Sequence, residues 1–433
     1  GGRAHLKAKI AERAGMDRAR LPINEALHDY LKQQKALGRP IFLASAADAR
    51  IVSAVAAQHA DIFEAWFASD GETNLSGRRK LARIEAHSGG AFVYAGDAPI
   101  DAKVWASAAG AILVGSRAES LKKHVPPGTP VEASFPTPPR TLGTWARAIR
   151  LRQWAKNALV FVPIVLAGQA GDTAALRACF AAFMALGLAA SATYLLNDLL
   201  DLDSDRAHPV KRRRPLAAGE IPAFTATVAI GVLITLATIA AAFAPVQAAL
   251  GIAIYVVLTV GYSFRLKSVP LLDVLTIAGL FTLRIAIGVA AAQVAGSLWL
   301  FTFAMFFFFS LALTKRFAEL RNLADAGAAS AAGRGYAVTD LGFVQTLGVA
   351  AGMVSVNVFV LYLATAQFDP VAFPSPDWLW GACVVMGYWV SRMWLLAARG
   401  VLDEDPIEFA LKDPTSIGLG ALVAALAFLA QVG

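Results

Sequence analysis

From about Trp145 onward the chain alternates long apolar runs with short basic loops, and before about residue 135 it does not. Apolar runs near 156–169, 173–197, 223–243, 246–262, 271–291, 296–317, 342–365, 377–397 and 415–431 predict about nine membrane-spanning helices, the first and fourth of them short. In residues 1–135 the short apolar runs Pro40 to Ala44, Phe92 to Ala95 and Ala111 to Val114 are separated by helical patterns and predict the strands of a soluble α/β domain. Pro126, Pro127 and Pro130, then Pro136, Pro138 and Pro139, mark the passage between the halves, with the linker drawn at 136–146 and the membrane domain at 147–433. The expected fold class is therefore a multi-pass all-α membrane protein with an N-terminal soluble α/β domain.

Composition agrees. Hydrophobic residues make up 57% of the 433 residues and charged residues 16%, and the mean hydropathy is +0.55. The net charge of +8 is local. With nine spans, Arg147, Arg150, Arg152 and Lys156, the run Lys211 to Arg214, Arg265 and Lys267, Lys315, Arg316 and Arg321, and Arg392 and Arg399 all fall on one side. By the positive-inside rule that side is cytoplasmic, which also places the N-terminal half there. The expected setting is a bacterial-type inner membrane. Lipid headgroups and phosphorylated substrates suit such loops, and no nucleic-acid signature accompanies them. Cys179 and Cys383 lie in apolar runs and read as buried hydrophobes. The chain opens on polar residues, with no cleavable signal peptide visible. A homo-oligomer is left open.

The chemistry concentrates where one apolar run ends. Asn197-Asp198-Leu199-Leu200-Asp201-Leu202-Asp203-Ser204-Asp205 leads into Lys211-Arg212-Arg213-Arg214. At about 100° per residue, Asp198, Asp201 and Asp205 fall within about 60° of one helix face and Asp203 points away. Three carboxylates on one face are hard oxygen ligands suited to Mg²⁺. The cations that follow suit phosphates brought by that metal. The plainer reading is a solvated acidic helix end. Asp273 and Arg284 share a helix face about three turns apart, which puts Arg284 well inside the membrane. An intramembrane charge marks a functional site, unless it only pairs with a carboxylate. Lys315 and Glu319 have the spacing of an i,i+4 ion pair.

The motif Asn197 to Asp205 resembles the first aspartate-rich motif of the intramembrane UbiA-type prenyltransferases, and the likeness runs from about Arg147 to the end. It implies helices around a central cavity, with Mg²⁺ and a diphosphate at the cytoplasmic mouth. Further phrases resemble one branch, the decaprenyl-phosphate phosphoribosyltransferases. These are Arg152-Gln153-Trp154-Ala155-Lys156-Asn157, Asp205 to Pro215, Tyr262-Ser263-Phe264, Lys315-Arg316-Phe317-Ala318-Glu319-Leu320, and Asp405-Pro406 with Ala410-Leu411-Lys412-Asp413. The resemblance implies a reaction of cell-envelope biosynthesis in which a polyprenyl phosphate attacks C1 of phosphoribosyl diphosphate and pyrophosphate leaves. It implies metal binding by Asp198, Asp201 and Asp205, with Asn197 and Lys211 beside them. It implies substrate contacts from Lys156, Asn157, Arg212, Arg214, Tyr262, Lys267, Asp273, Arg284, Lys315, Arg316 and Glu319. The second aspartate-rich motif of ordinary members is incomplete here, since Ile277 stands four residues after Asp273. That weakens a reading as an aromatic prenyltransferase, which stays as the alternative. A lipid transporter or scaffold is the non-enzymatic one.

In the N-terminal half, Ser45 follows an apolar run, Gly77-Arg78-Arg79-Lys80 comes next, and Tyr94-Ala95-Gly96-Asp97-Ala98-Pro99-Ile100-Asp101 closes the series. This resembles three of the motifs of haloacid-dehalogenase-like phosphatases. The resemblance implies phosphate binding by Ser45 and Lys80 and Mg²⁺ binding by Asp97 and Asp101. No Asp-x-Asp nucleophile motif precedes Ser45, and the domain reads as incomplete at its N-terminus. Phosphatase activity of this chain is therefore not expected, and a regulatory or stabilising module is the plainer reading.

Overall fold

A computed structural model describes residues 2–13, 23–137, 141–208, 210–327, 335–365, 373–402 and 405–432. Pro138, Pro139 and Pro209, singled out above, lie outside the described residues. The chain forms two compact units, one of Gly1–Ala148 with Asp198–Ala226 and one of Ile149–Asn197 with Thr227–Gly433.

The first unit opens with α1 (Arg3–Arg13) and α2 (Glu25–Ala36). Then come β1 (Phe42–Asp48), α3 (Ala49–Gln58), β2 (Ala65–Ser69), α4 (Arg78–Ser88), β3 (Val93–Gly96), α5 (Ala102–Trp105), β4 (Gly110–Val114), α6 (Ala118–Leu121), β5 (Val131–Phe135) and α7 (Leu142–Ala148). β1 pairs with β2, and β3, β4 and β5 form a second sheet in that order; every pairing is parallel. Helical crossovers between parallel strands make this an α/β arrangement. Tyr94, Trp105, Leu113 and Leu121 are the large side chains of its core. A Cβ at Gly96 would stand 2.7 Å from the Trp105 ring, so the end of β3 admits that ring only because it is glycine. The expected strands at Phe92 to Ala95 and Ala111 to Val114 match β3 and β4 to within a residue or two, and the run Pro40 to Ala44 overlaps the start of β1. β2 and β5 are additional. β5 lies directly after Pro130, in the proline-rich stretch read as the approach to a linker.

The membrane part contains α8 (Val162–Leu166), α9 (Thr173–Leu200), α10 (Leu202–Ala207), α11 (Ala223–Ala241), α12 (Val246–Phe264), α13 (Leu272–Ala292), α14 (Leu298–Asp325), α15 (Leu341–Thr365), α16 (Trp378–Ala398), α17 (Pro406–Ala410) and α18 (Pro414–Val432). Among the described residues eight helices are long and apolar enough to cross a membrane: α9, α11 to α16 and α18. Nine were expected, and the stretch 156–169 is the difference. It is a 3₁₀ helix, Leu151–Phe161, followed by the five-residue α8. Pro163 has no N–H and its ring clashes with the carbonyl four residues earlier, so α geometry cannot run through from Leu159. This broken segment lies tight against α13, where a Cβ at Gly288 would collide with the carbonyl oxygen of Val160. Small residues at such crossings let backbones approach within a membrane. α11 leaves Val228, Val232, Ile234, Leu236 and Ile239 exposed, the surface of a helix that faces lipid.

Candidate functional site

In the first unit the acidic motif is not one continuous helix. α9 ends at Leu200, α10 begins at Leu202, and Asp201 sits at the junction with ψ near 10°. The break brings Asp198 and Asp205 to one point. Arg214 Nη1 donates to Asp198 Oδ1 at 3.1 Å and to Asp205 Oδ2 at 2.7 Å. Both carboxylates are buried. Asp201 is half-buried, and Asp203 is exposed and 3.8 Å from Arg206. Lys211 and Arg212 are exposed on the 3₁₀ turn Lys211–Arg213, while Asn197 is half-buried on the last turns of α9.

Two carboxylate oxygens within about 3 Å of one cationic nitrogen have the chemistry and spacing to share a metal ion. Among the described residues no group of three or more Asp, Glu, His or Cys could hold one unaided. Mg²⁺ does not require such a group, because it is commonly held by one or two carboxylates, waters and substrate phosphates. Asp198 and Asp205 fit that pattern, with Arg214 now in the position of the cation.

The second unit holds two further charged groups. Asp273 begins α13, is fully buried, and lies 2.9 Å from Arg316 Nη2 on α14. Tyr336 donates to Asp273 Oδ1 at 2.7 Å and accepts from the Leu271 N–H at 2.7 Å. That bond braces Leu271, a non-glycine residue with φ of 64°. Arg316 also pairs with Glu319, one turn on. Tyr262 is in reach of both Arg316 and Glu319. The expected Lys315–Glu319 pair is replaced: Glu319 takes Arg316, and Lys315 reaches a different carboxylate.

That carboxylate is Asp405, absent from the sequence-based site. Its Oδ2 accepts from Lys156 Nζ at 2.9 Å and from Lys315 Nζ at 3.2 Å. Burial pushes the Asp405 carboxyl up, but the charges of Lys315 and Lys156 outweigh it and hold it down at about 2. Its other oxygen accepts from Ile407 N and caps α17. The Asp405-Pro406 step is among the phrases that carry the family resemblance, but no role is assigned to it there. Arg284 is 5% exposed, and among the described residues its hydrogen-bond acceptors are all neutral. It donates to Asn157 Oδ1 at 2.9 Å, Leu280 O at 2.7 Å and Tyr255 Oη at 2.8 Å. Lys267 lies half-buried on the 3₁₀ turn Leu266–Ser268.

The N-terminal residues also meet. Ser45, Lys80, Asp97 and Asp101 line one cavity of about 530 Å³ with Asp48 and Lys7. Lys80 donates to Tyr94 Oη at 2.8 Å and lies 3.5 Å from Asp101. Asp101 Oδ2 accepts from the backbone N–H of Asp97 and of Ala98. Burial, reinforced by Asp101, pushes the Tyr94 phenol up. Lys7, which no motif marked, donates to Ala46 O at 2.6 Å and Asn74 Oδ1 at 2.8 Å. The cavity opens at the carboxyl ends of β1 and β3, where ligands of parallel sheets bind.

Eight long apolar helices, with buried charge among them, are those of a multi-pass membrane protein. The chain belongs to the UbiA prenyltransferase family, whose pattern matches residues 158–411. It is 37% identical to the uncharacterised protein y4nM of Sinorhizobium fredii, over 99% of this chain and 83% of that one. It is 31% identical to the decaprenyl-phosphate phosphoribosyltransferase of Mycolicibacterium smegmatis, over 65% of this chain and 91% of that one. A UbiA homologue from Archaeoglobus fulgidus, solved with GPP and Mg²⁺, superposes with a TM-score of 0.50 at 15% identity, over 66% of this chain and 98% of that one. That last likeness is one of fold.

Proposed function

We propose that the chain is a Mg²⁺-dependent polyprenyl-phosphate phosphoribosyltransferase. A phosphate oxygen of the lipid forms a bond to C1 of phosphoribosyl diphosphate, the bond from C1 to the diphosphate oxygen breaks, and pyrophosphate leaves with the electron pair. The observation that carries this reading is the convergence of Asp198 and Asp205 on one cation, in a chain that is 31% identical to a decaprenyl-phosphate phosphoribosyltransferase. Asp198 and Asp205, with Asp201 beside them, would hold the metal, whose charge would stabilise the departing diphosphate. Arg214, Lys211 and Arg212 supply charge-assisted bonds to phosphate. Asn197 orients a ligand or ribose hydroxyl. A lipid phosphate is already anionic, so no strong general base is needed and catalysis is positioning with charge stabilisation.

The alternative, prenyl transfer to an aromatic acceptor, is favoured by the family as a whole. The two readings separate on the donor. Membranes carrying the chain should release pyrophosphate from phosphoribosyl diphosphate when polyprenyl phosphate is added. Release from a prenyl diphosphate with an aromatic acceptor would favour the alternative.

The basic loops are assigned to the cytoplasmic side. The 3₁₀ helix Leu151–Phe161 and α8 together extend about 30 Å, at about 2.0 and 1.5 Å per residue, enough to cross the hydrocarbon core. If that segment crosses, Arg150 and Arg152 at its start fall on the same side as Lys267, Lys315 and Arg399, as the positive-inside rule favours.

The N-terminal half is read as a haloacid-dehalogenase-like, phosphate-binding module. Parallel strands and the meeting of Ser45, Lys80, Asp97 and Asp101 support this. Hydrolysis is not expected of it. Mg²⁺-dependent hydrolysis of ribose 5-phosphate by the chain, lost in Asp97→Ala, would show otherwise.

A further inference from the structure

Lys156, Lys315, Arg284 and Asp405 belong to four separate elements of the second unit, and their charges do not balance. The two lysines share one carboxylate oxygen, while among the described residues Arg284 has only neutral acceptors. Lys156 lies within electrostatic range of both Lys315 and Arg284. Among the described residues three cations share one carboxylate, and two of them, Lys156 and Arg284, are largely shut off from water, which is costly unless an anion answers them. A phosphate monoester carries about −1.5 to −2 at neutral pH and offers three acceptor oxygens.

The surroundings select the kind of monoester. The Phe281 ring centroid lies 5.9 Å from Lys156 Nζ and 4.9 Å from Arg284 Cζ. Phe281 stacks on Phe308 at 4.7 Å, in an apolar cluster with Ile285 and Leu311. A phosphate seated on these cations therefore has hydrocarbon beside it. A sugar phosphate gains nothing from that wall, and a phosphate ester of an apolar chain buries its first methylenes there.

We propose that Lys156, Lys315 and Arg284 seat the phosphate of the lipid acceptor, and that Asp405 is the internal counter-ion it displaces. This rests on the phosphoribosyltransferase reading for the acceptor's identity. The Asp405 oxygen, 2.9 and 3.2 Å from the two ammonium groups, marks the place of an incoming phosphate oxygen. Displaced, Asp405 keeps its bond to Ile407 N through the other oxygen, so α17 stays capped.

The test is equilibrium binding of farnesyl phosphate, farnesol, phosphoribosyl diphosphate and inorganic phosphate to the full chain in nanodiscs, without turnover. Lys156→Gln and Lys315→Gln should each weaken farnesyl phosphate about tenfold, as expected for a lost charge-assisted bond, and leave phosphoribosyl diphosphate within twofold. Asp405→Asn should tighten farnesyl phosphate, which a merely structural carboxylate would not do. Lys315→Arg should retain binding, and because Lys315 is 37% exposed its variants are the ones expected to fold without difficulty. Loss of phosphoribosyl diphosphate instead of farnesyl phosphate would assign the seat to the donor and overturn the proposal. Farnesol binding as tightly as farnesyl phosphate would overturn it too, as would tight binding of inorganic phosphate alone. A wild-type chain that binds no farnesyl phosphate would take the proposed function down with it. Normal farnesyl phosphate binding by both Gln variants would sink only this inference.

Discussion

Arg316 and Asp273 form an ion pair at 2.9 Å whose side chains are 1% and 0% exposed. Sealed this completely, the pair braces the start of α13 against α14 rather than offering either charge to substrate. Removing one partner strands a buried charge, at a cost of about 3–5 kcal/mol. Asp273→Ala and Arg316→Gln should therefore lower the thermal unfolding midpoint in detergent markedly. Unchanged midpoints together with lost transfer would return both residues to substrate binding.

The acidic motif should respond unequally. Asp198→Ala and Asp205→Ala should abolish transfer by at least a hundredfold and weaken metal binding, read with Mn²⁺ by electron paramagnetic resonance. Asp203→Ala should fall within about threefold of wild type, since an exposed pair at 3.8 Å contributes little. Equal losses at all three positions would mean that the carboxylates act through charge alone.

Much of this was legible in the chain, for physical reasons that differ by region. Spans announce themselves because a bilayer demands some twenty apolar residues, so eight of the nine expected runs correspond to long helices. The ninth run is instead the 3₁₀ helix Leu151–Phe161 followed by α8, and Pro163, inside that apolar run, removes an α-helical hydrogen bond where the two meet. The separation of Asp203 from Asp198 and Asp205 was visible in helical periodicity, yet the break at Asp201 was not. Asp405 is part of a family phrase, but its place in the site was missed because its partners, Lys156 and Lys315, are 249 and 90 residues distant in sequence. Pairing across such distances has no local signature. Lys7 escaped for the same reason.

Acid should loosen the Lys156–Asp405–Lys315 cluster. The Asp405 carboxyl is held at about 2 in the folded chain against an ordinary 3.8. A depressed carboxylate contributes stability that is fully present above the ordinary value and is lost as pH falls toward the folded one. Unfolding midpoints should drop between about pH 4 and pH 2, and Asp405→Asn should flatten that part of the profile. An identical profile in the variant would detach the carboxylate from stability.

Gly288→Ala tests the contact that holds the broken segment against α13. The added methyl would meet the Val160 carbonyl, so the crossing must open. A loss of about 1–3 kcal/mol is expected, as for overpacked cores. An unaltered unfolding midpoint would mean that residues 151–166 are not packed there.

The most direct measurement of the proposed function is a double-label transfer experiment. Membranes containing the chain receive polyprenyl phosphate, Mg²⁺ and phosphoribosyl diphosphate labelled with ¹⁴C in the ribose and ³²P in the β-phosphate. The proposal predicts ¹⁴C in the lipid fraction, an equal amount of ³²P in pyrophosphate, and neither in membranes carrying Asp198→Ala. Both labels remaining in the donor, while the same membranes prenylate an aromatic acceptor, would contradict it.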